Sequence, residues 1–177
     1  MTPRALIRTR KAVLPDAVAI HCLIAGYSRD GTLLPRTLNE ICENVRDFTI
    51  VERRGTIVGC GALHLYGPHL AEVRSIAVAK EAQGQGAGSK LIDALIEEAR
   101  QHRVSQVCLF TRSPQFFSKL GFLEVAHATL PDKIYKDCQS CPRFQTSCDE
   151  TAMVFGGAVT HDAADDEVVR RPVLLQL

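Results

Sequence analysis

Between residues 83 and 89 the chain reads Gln83-Gly84-Gln85-Gly86-Ala87-Gly88-Ser89, after a strand-like run and before an amphipathic helix pattern. Glycine removes the β-carbon, so backbone N–H groups can come close to an anion. The helix start that follows adds orphan N–H groups and the positive end of a dipole. Together these make a cradle for phosphate. The spacing is Gln-x-x-Gly-x-Gly. It is not a P-loop, because no Gly-Lys-Ser/Thr follows, and it lacks the Gly-x-Gly-x-x-Gly spacing of a dinucleotide fingerprint. The bland alternative is an ordinary strand-to-helix turn.

The surrounding pattern fixes the fold class. Leu6 to Ala12 reads as a strand, and Pro15-Asp16 opens a helix to about Ala25, with Gly26 to Leu34 expected as a loop. Thr37 and Glu40 have capping-box spacing ahead of a short helix ending near Val45. Phe48 to Glu52 and Thr56 to Leu65 read as strands joined at Arg53-Arg54-Gly55. Ala71 to Val78 is the next strand. After the glycines, Leu91, Ile92, Leu95, Ile96 and Ala99 repeat at helical spacing and read as core. Val107 to Thr111 reads as a buried strand, and Ser113-Pro114 as a helix start. That helix stops at Gly121. Phe122 to Val125 is a strand, residues 127–148 a long loop with three cysteines, and Thr151 to Phe155 the last strand. Hairpins come first and strand–helix–strand later, so the class is mixed α/β (α+β) with a crossover around the glycines. Residues 1–155 are expected to form one domain and 156–177 a partly mobile C-terminal tail in which Arg170 to Leu177 could dock.

Composition narrows the partners. The chain has 177 residues, enough for one sizeable core. A formal net charge of +1 gives no bulk attraction to nucleic acid. Arg4, Arg8, Arg10 and Lys11 precede no apolar core, so neither a signal peptide nor a membrane span is expected. Seven cysteines without an export signal read as reduced thiols of a cytoplasmic protein.

Three features carry a family resemblance from about Ala5 to Phe155. Glu72 to Val78 is followed by Gln83 to Gly88, Phe116 to Phe122 reads Phe-Phe-Ser-Lys-Leu-Gly-Phe, and the element order is as above. In these the chain resembles the GNAT superfamily of N-acetyltransferases. The resemblance implies a central, mostly antiparallel mixed sheet flanked by helices, in which the strands Ala71–Val78 and Val107–Thr111 splay apart. It implies acetyl-CoA as co-substrate. The pyrophosphate would lie on Gln83, Gly84, Gln85, Gly86, Ala87, Gly88 and Ser89. The pantetheine arm would pair with backbone groups of Ile76, Ala77 and Val78, beside Phe116 and Phe117. A backbone N–H near Val78 would polarise the thioester carbonyl.

Gly31 to Thr37, Ala71 to Arg74, Leu130 to Cys141 and Cys148 to Glu150 narrow this further. They resemble the short, stand-alone amino-acid N-acetyltransferases of the N-acetylglutamate synthase type, from bacterial arginine biosynthesis. Longer members carry an arginine-sensing kinase-like domain, expected to be absent here. Two departures stand out. Phe117 occupies a position where many members place a tyrosine as general acid, leaving water or Tyr135 to protonate the thiolate. Cys148 to Thr151 stands where the longer synthases carry Arg-x-Ser. The resemblance leaves room for a homodimer.

Glu72 is the candidate base for the amine, and an ion pair with Arg74 is the equally weighted alternative; His64 and His69 are lesser candidates. Arg36 is the candidate for an acceptor carboxylate, which a guanidinium matches in bidentate fashion. Arg74, Lys133, Lys136 and Arg143 supply further cations for a dicarboxylate. Cys138-x-x-Cys141 with Cys148 has the spacing of a zinc knuckle, with His127 or Asp149 needed as fourth ligand. A redox pair or buried thiols remain open. The leading expectation is acetyl transfer to the α-amine of L-glutamate. Acetylation of another amine, or a CoA-binding module with little catalysis, are the alternatives.

Overall fold

Strand pairing decides where this molecule opens. In the computed structural model, which describes residues 6–144 and 146–156, seven strands form one sheet in the order β1-β2-β3-β4-β5-β7-β6. β1 (Ile7–Lys11), β2 (Phe48–Arg53), β3 (Thr56–Leu65) and β4 (Leu70–Val78) are antiparallel neighbours. β5 (Gln106–Thr111), β7 (Thr151–Phe155) and β6 (Leu123–Val125) form a second antiparallel set. The sets meet in a single parallel stretch, Leu70–Glu72 against Gln106–Cys108. Beyond Glu72 the two strands no longer pair, so the expected splay is present.

Local chemistry explains the elements. The turn between β2 and β3 holds Arg54 at φ 53° and Gly55 at φ 77°, the two left-handed positions a two-residue hairpin needs. α2 (Leu38–Glu43) is closed by the expected capping box. Glu40 N–H donates to Thr37 Oγ1 at 3.2 Å, and Thr37 N–H donates to Glu40 Oε2 at 2.6 Å. α3 (Ala87–Gln101) lays Leu91, Ile92, Leu95 and Ile96 on one sheet face, against Val51, Leu63, Val73, Leu109 and Met153. α1 (Ala17–Ser28) covers the other face with Ile20 and Ile24, beside Ile41, Phe48 and Ile50. Among the described residues no helix is long and apolar enough to cross a membrane.

Three expectations need correction. The loop placed at Gly26 begins later, because α1 runs on to Ser28. Ile20, Ile24 and Tyr27 continue the buried stripe past Gly26, and one helical glycine costs only about 1 kcal/mol. The loop at 127–148 is not featureless: it contains α5 (Pro131–Lys136), with Pro131 at its start and a Lys133–Asp137 bridge of 3.2 Å. Ser113 precedes α4 (Pro114–Ser118) without a side-chain cap; its N–H instead donates to Thr111 Oγ1 at 2.9 Å. Thr151–Phe155 forms β7 as expected, while the expected tail, residues 157–177, lies outside the described residues.

Leu95 is 0% exposed and sits in the α3 stripe. Leu95→Ala should lower unfolding free energy by about 2–5 kcal/mol. Urea denaturation followed by circular dichroism measures this, and a loss below about 1 kcal/mol would mean that the stripe is not core.

Candidate active site

β4 is interrupted where the site begins. Ser75 has φ 55°, and the register with β3 shifts between Cys60 and Ala62. This is a bulge: one extra residue on β4, a local bend and a change of aim. Ala79 N–H donates to Val58 C=O, so by antiparallel alternation Ala77 also faces β3. Ile76 and Val78 therefore turn their backbone polar groups into the gap beside β5. Of the three residues predicted to meet an amide-bearing arm, two face the gap and Ala77 is committed to Cys60. The Val78 carbonyl already has partners, the Tyr27 hydroxyl at 2.5 Å and Gln83 Nε2 at 3.2 Å.

The glycine loop continues from that point. Gly84 and Gly86 have φ 68° and 88°, and Gly86 is the N-cap of α3. The first-turn N–H groups of Ala87, Gly88 and Ser89 have no carbonyl partner inside the helix. Side chains brace the loop from outside. Gln83 Nε2 donates to Tyr27 Oη at 2.7 Å, and Arg53 donates to Gln85 Oε1 at 2.7 Å. A β-carbon on Gly88 would lie 3.1 Å from the Phe116 ring, so Phe116 closes over this loop. Phe117 points the other way, 5% exposed, into the core edge-on to Phe122. It shapes the wall from beneath and offers no surface to a ligand.

On the α1 side of β4, Glu72 is only 3% exposed. The expected ion pair with Arg74 is present at 3.9 Å, and Lys133 lies closer still, at 2.8 Å. Tyr66 Oη lies 2.9 Å from Glu72 Oε2 and 2.5 Å from Asp137 Oδ2. Lys133 also bridges to Asp137 at 3.2 Å. Burial alone would pull the Lys133 ammonium down, but Glu72 and Asp137 outweigh it and hold it above its usual value. Burial would likewise raise Asp137, but the Tyr66 hydrogen bond and the charges of Lys133 and Arg74 hold it below the usual carboxylate range. Burial pushes the Tyr66 phenol far up, and the two carboxylates add to the effect.

Two openings flank this network. A cleft of about 290 Å³ is lined by Arg36, Glu40, Asn44, Asp47, Arg74 and Ser75. It brings the predicted carboxylate binder Arg36 together with Arg74 and the bulge. A cavity of about 910 Å³ lies on the far side, among Phe110, His127, Lys133, Ile134, Asp137 and the three loop cysteines. The other predicted cations are committed. Lys136 sits 5.1 Å over the Tyr66 ring, and Arg143 donates to Gly31 C=O at 2.7 Å. His64 and His69 face Asp47 at 3.7 Å and Asp132 at 3.1 Å. Tyr135 is 71% exposed and is no proton source for the cleft.

The zinc expectation is corrected. Cys138, Cys141 and Cys148 line one cavity, yet among the described residues no three His, Cys, Asp or Glu side chains converge to hold a metal ion. His127, a proposed fourth ligand, bonds instead to Glu150 C=O at 2.8 Å through Nε2. Asp149, the other, is drawn to Arg112 at 2.7 Å.

The sequence reading missed Tyr27, Tyr66 and Asp137. A signal existed for the first two: the chain has only three tyrosines, and a buried phenol needs a partner. Asp137 carried none, since its partner Tyr66 is 71 positions away.

The chain matches the acetyltransferase (GNAT) family over residues 20–122. An uncharacterized N-acetyltransferase of Chlorobaculum tepidum is 36% identical over 152 residues, 86% of this chain and 97% of that protein. An amino-acid acetyltransferase of Mycobacterium tuberculosis is 32% identical over 135 residues, 74% of this chain and 77% of that protein. Among solved structures, N-acetylglutamate synthase from Neisseria gonorrhoeae, complexed with coenzyme A and N-acetyl-glutamate, superposes with a TM-score of 0.76 at 26% identity. That superposition covers 85% of this chain and 35% of the synthase. A Mycobacterium tuberculosis protein in complex with CoA and a second ligand gives a TM-score of 0.74 at 27% identity, over 85% of this chain and 99% of that one.

Lys133 is the nearest compensation for a buried carboxylate. Lys133→Met should therefore cost about 3–5 kcal/mol at neutral pH, because it strands Glu72. The double variant Glu72→Gln/Lys133→Met should recover much of the loss. Equal stability of wild type and Lys133→Met in denaturant titrations would show that solvent, not Lys133, satisfies Glu72.

Proposed function

The chain belongs to the GNAT family of acetyltransferases, and from that premise we propose that it transfers acetyl from acetyl-CoA to the α-amine of an amino acid, L-glutamate first. The observation that carries this is the juxtaposition along β4: a phosphate-type loop and a splayed edge on one side, a cleft with Arg36 and Arg74 on the other. The amino-acid acetyltransferases among its relatives, and the synthase structure complexed with coenzyme A and N-acetyl-glutamate, support the choice of acceptor.

In this reading the pyrophosphate rests on the N–H groups of the Gln83–Ser89 loop and the start of α3, under Phe116. The arm lies in the gap and pairs with Ile76 and Val78. An N–H of the bent edge, at Ile76 or Val78, faces the oxyanion that develops at the carbonyl carbon. Arg36 and Arg74 hold the acceptor carboxylate, which aims the amine at the thioester. Glu72 takes the ammonium proton, directly or through a water, so that the lone pair can attack. The new C–N bond forms, the C–S bond breaks, and the thiolate leaves to be protonated by water. Phe117 has no acidic proton to give.

Gly84 has φ 68° and open space around its missing β-carbon, so an aspartate there meets no neighbour and costs only the strain of a left-handed backbone, about 1–2 kcal/mol. Gly84→Asp places a negative charge beside the pyrophosphate and should weaken acetyl-CoA binding by about tenfold or more, on the order of 1.4 kcal/mol. Unchanged affinity by calorimetry would move the phosphate site elsewhere.

The acceptor is tested with glutamate, glutamine, aspartate and simple alkyl amines, by thiol release. A site built around paired charges rejects analogues that leave a cation unmatched. Glutamate should be fastest, aspartate and glutamine slower, and alkyl amines slowest. Arg36→Ala should raise the KM for glutamate by about tenfold, with that for acetyl-CoA little changed. Alkyl amines acetylated faster than glutamate would refute the amino-acid assignment and leave acetyl transfer to another amine.

A further inference from the structure

Tyr66 sits between two carboxylates with one proton to share. Its oxygen is 2.9 Å from Glu72 Oε2 and 2.5 Å from Asp137 Oδ2. A phenol carries a single O–H. With Glu72 and Asp137 both ionised, one of these contacts is a hydrogen bond and the other sets oxygen against oxygen. A proton added to Glu72 turns both into hydrogen bonds, Glu72 to Tyr66 and Tyr66 to Asp137. The chain of oxygens has a place for one more proton, on Glu72, the end that the proposed function gives to the substrate amine.

Burial gives the chain a direction. The Glu72 side chain is 3% exposed, while that of Asp137 is 34% exposed. Lys133 bonds to both carboxylates, at 2.8 and 3.2 Å, and Arg74 stands 3.9 and 3.7 Å from them. Two cations against two carboxylates keep the resting network neutral. A proton arriving at Glu72 makes it net positive, which favours its onward loss.

We infer that Tyr66 and Asp137 form a proton exit from Glu72 to solvent, positioning residues that reset the base after each acetyl transfer. This rests on the reading of Glu72 as the base. The steps balance. The substrate ammonium gives its proton to Glu72, leaving a neutral amine and a carboxylic acid. Glu72 then gives that proton to the Tyr66 oxygen as the Tyr66 proton passes to Asp137. Asp137, held below the usual carboxylate range, releases it to water. No oxidant or further reactant is needed.

Other groups face this path. His64 on β3 meets the Tyr66 ring edge-on at 5.0 Å. Arg74 comes from β4 and Cys108 from β5; burial pushes the Cys108 thiol up, so it stays protonated. α5 brings Asp132, Lys133 and Lys136, and the turn after it Cys138, whose thiol burial also raises. None of them bridges the two carboxylates as Tyr66 does with a hydroxyl.

The test uses the full chain, acetyl-CoA and the fastest acceptor of the amine series, comparing Tyr66→Phe, Asp137→Asn and Glu72→Gln over pH and buffer concentration. Tyr66→Phe keeps the ring and removes the relay oxygen. It should lower kcat by about tenfold, leave KM for both substrates nearly unchanged, and recover rate as imidazole buffer is raised. Asp137→Asn, which can still accept a hydrogen bond but cannot take up the proton, should behave likewise. Buffer rescue marks a proton-transfer defect, since a purely structural loss is indifferent to buffer. A loss of rate with raised KM and no rescue in both variants would make Tyr66 and Asp137 structural braces. Full rate in both would abolish the exit while Glu72 remained the base. Full rate in Glu72→Gln would remove the base itself, and the exit with it. If Tyr66→Phe fails to fold, Asp137→Asn carries the same comparison.

Discussion

The fold turns on one interruption in backbone pairing. β4 and β5 share a parallel ladder for only three residue pairs, and then the Ser75 bulge swings β4 away. Unpaired strand edges are ordinarily a liability, because exposed N–H and C=O groups seek partners. Here the edge is short, lies inside the sheet and is flanked by α3 and Phe116, so only a thin ligand can reach it. An extended arm with its own amides meets that requirement. The glycine loop and the start of α3 follow this edge directly in the chain. On the proposed reading, the phosphate loop and the peptide-like edge are consecutive stretches of one strand–helix connection.

Opening a sheet exposes its polar interior, and the network around Glu72 stabilises that opening. A carboxylate 3% exposed is expensive to desolvate unless cations and hydrogen bonds replace water. Lys133 supplies the cation from α5, and Tyr66 supplies a hydroxyl from the β3–β4 turn. α5 is therefore as much a part of the site as β4, although it lies some sixty positions later in the chain. The network ties the loop carrying the cysteines to the centre of the sheet, which accounts for order in a segment with little apolar content of its own.

What could be read in the sequence follows the range of each interaction. The α3 stripe, the Thr37–Glu40 capping box, the Arg54-Gly55 turn and the strand at Thr151–Phe155 are all decided by neighbours within a few residues. So is the glycine loop, whose proposed phosphate contacts are its own backbone N–H groups. The Ser75 bulge was invisible because serine states no preference for φ 55°; the neighbouring sheet imposes it. Glu72 was singled out, and the rule of two along a strand rightly put Arg74 beside it at 3.9 Å, but it could not show Lys133, which comes closer from another element. The cysteine trio shows the opposite error. Its spacing is that of a knuckle, and the sequence could not show that Glu150 C=O and Arg112 would claim the remaining ligands.

The chemistry of acetyl transfer explains where the site spends its polar groups. An ammonium has no lone pair, so on the proposed reading nothing happens until a proton is removed. A departing thiolate is different. Its thiol has a pKa near 8.5 for an ordinary cysteine, so C–S cleavage proceeds without a donor in place and water can complete the protonation. The requirement is lopsided, and so is the structure. Phe117, where the family resemblance led us to expect a tyrosine acid, is buried and packs against Phe122. Glu72, the proposed base, has a lysine, an arginine, a tyrosine and a second carboxylate around it. Losing an acid whose task water can perform costs the reaction little. Losing the cations around Glu72 would cost the fold as well as the proposed chemistry, since a buried carboxylate left without its partner is strongly destabilising.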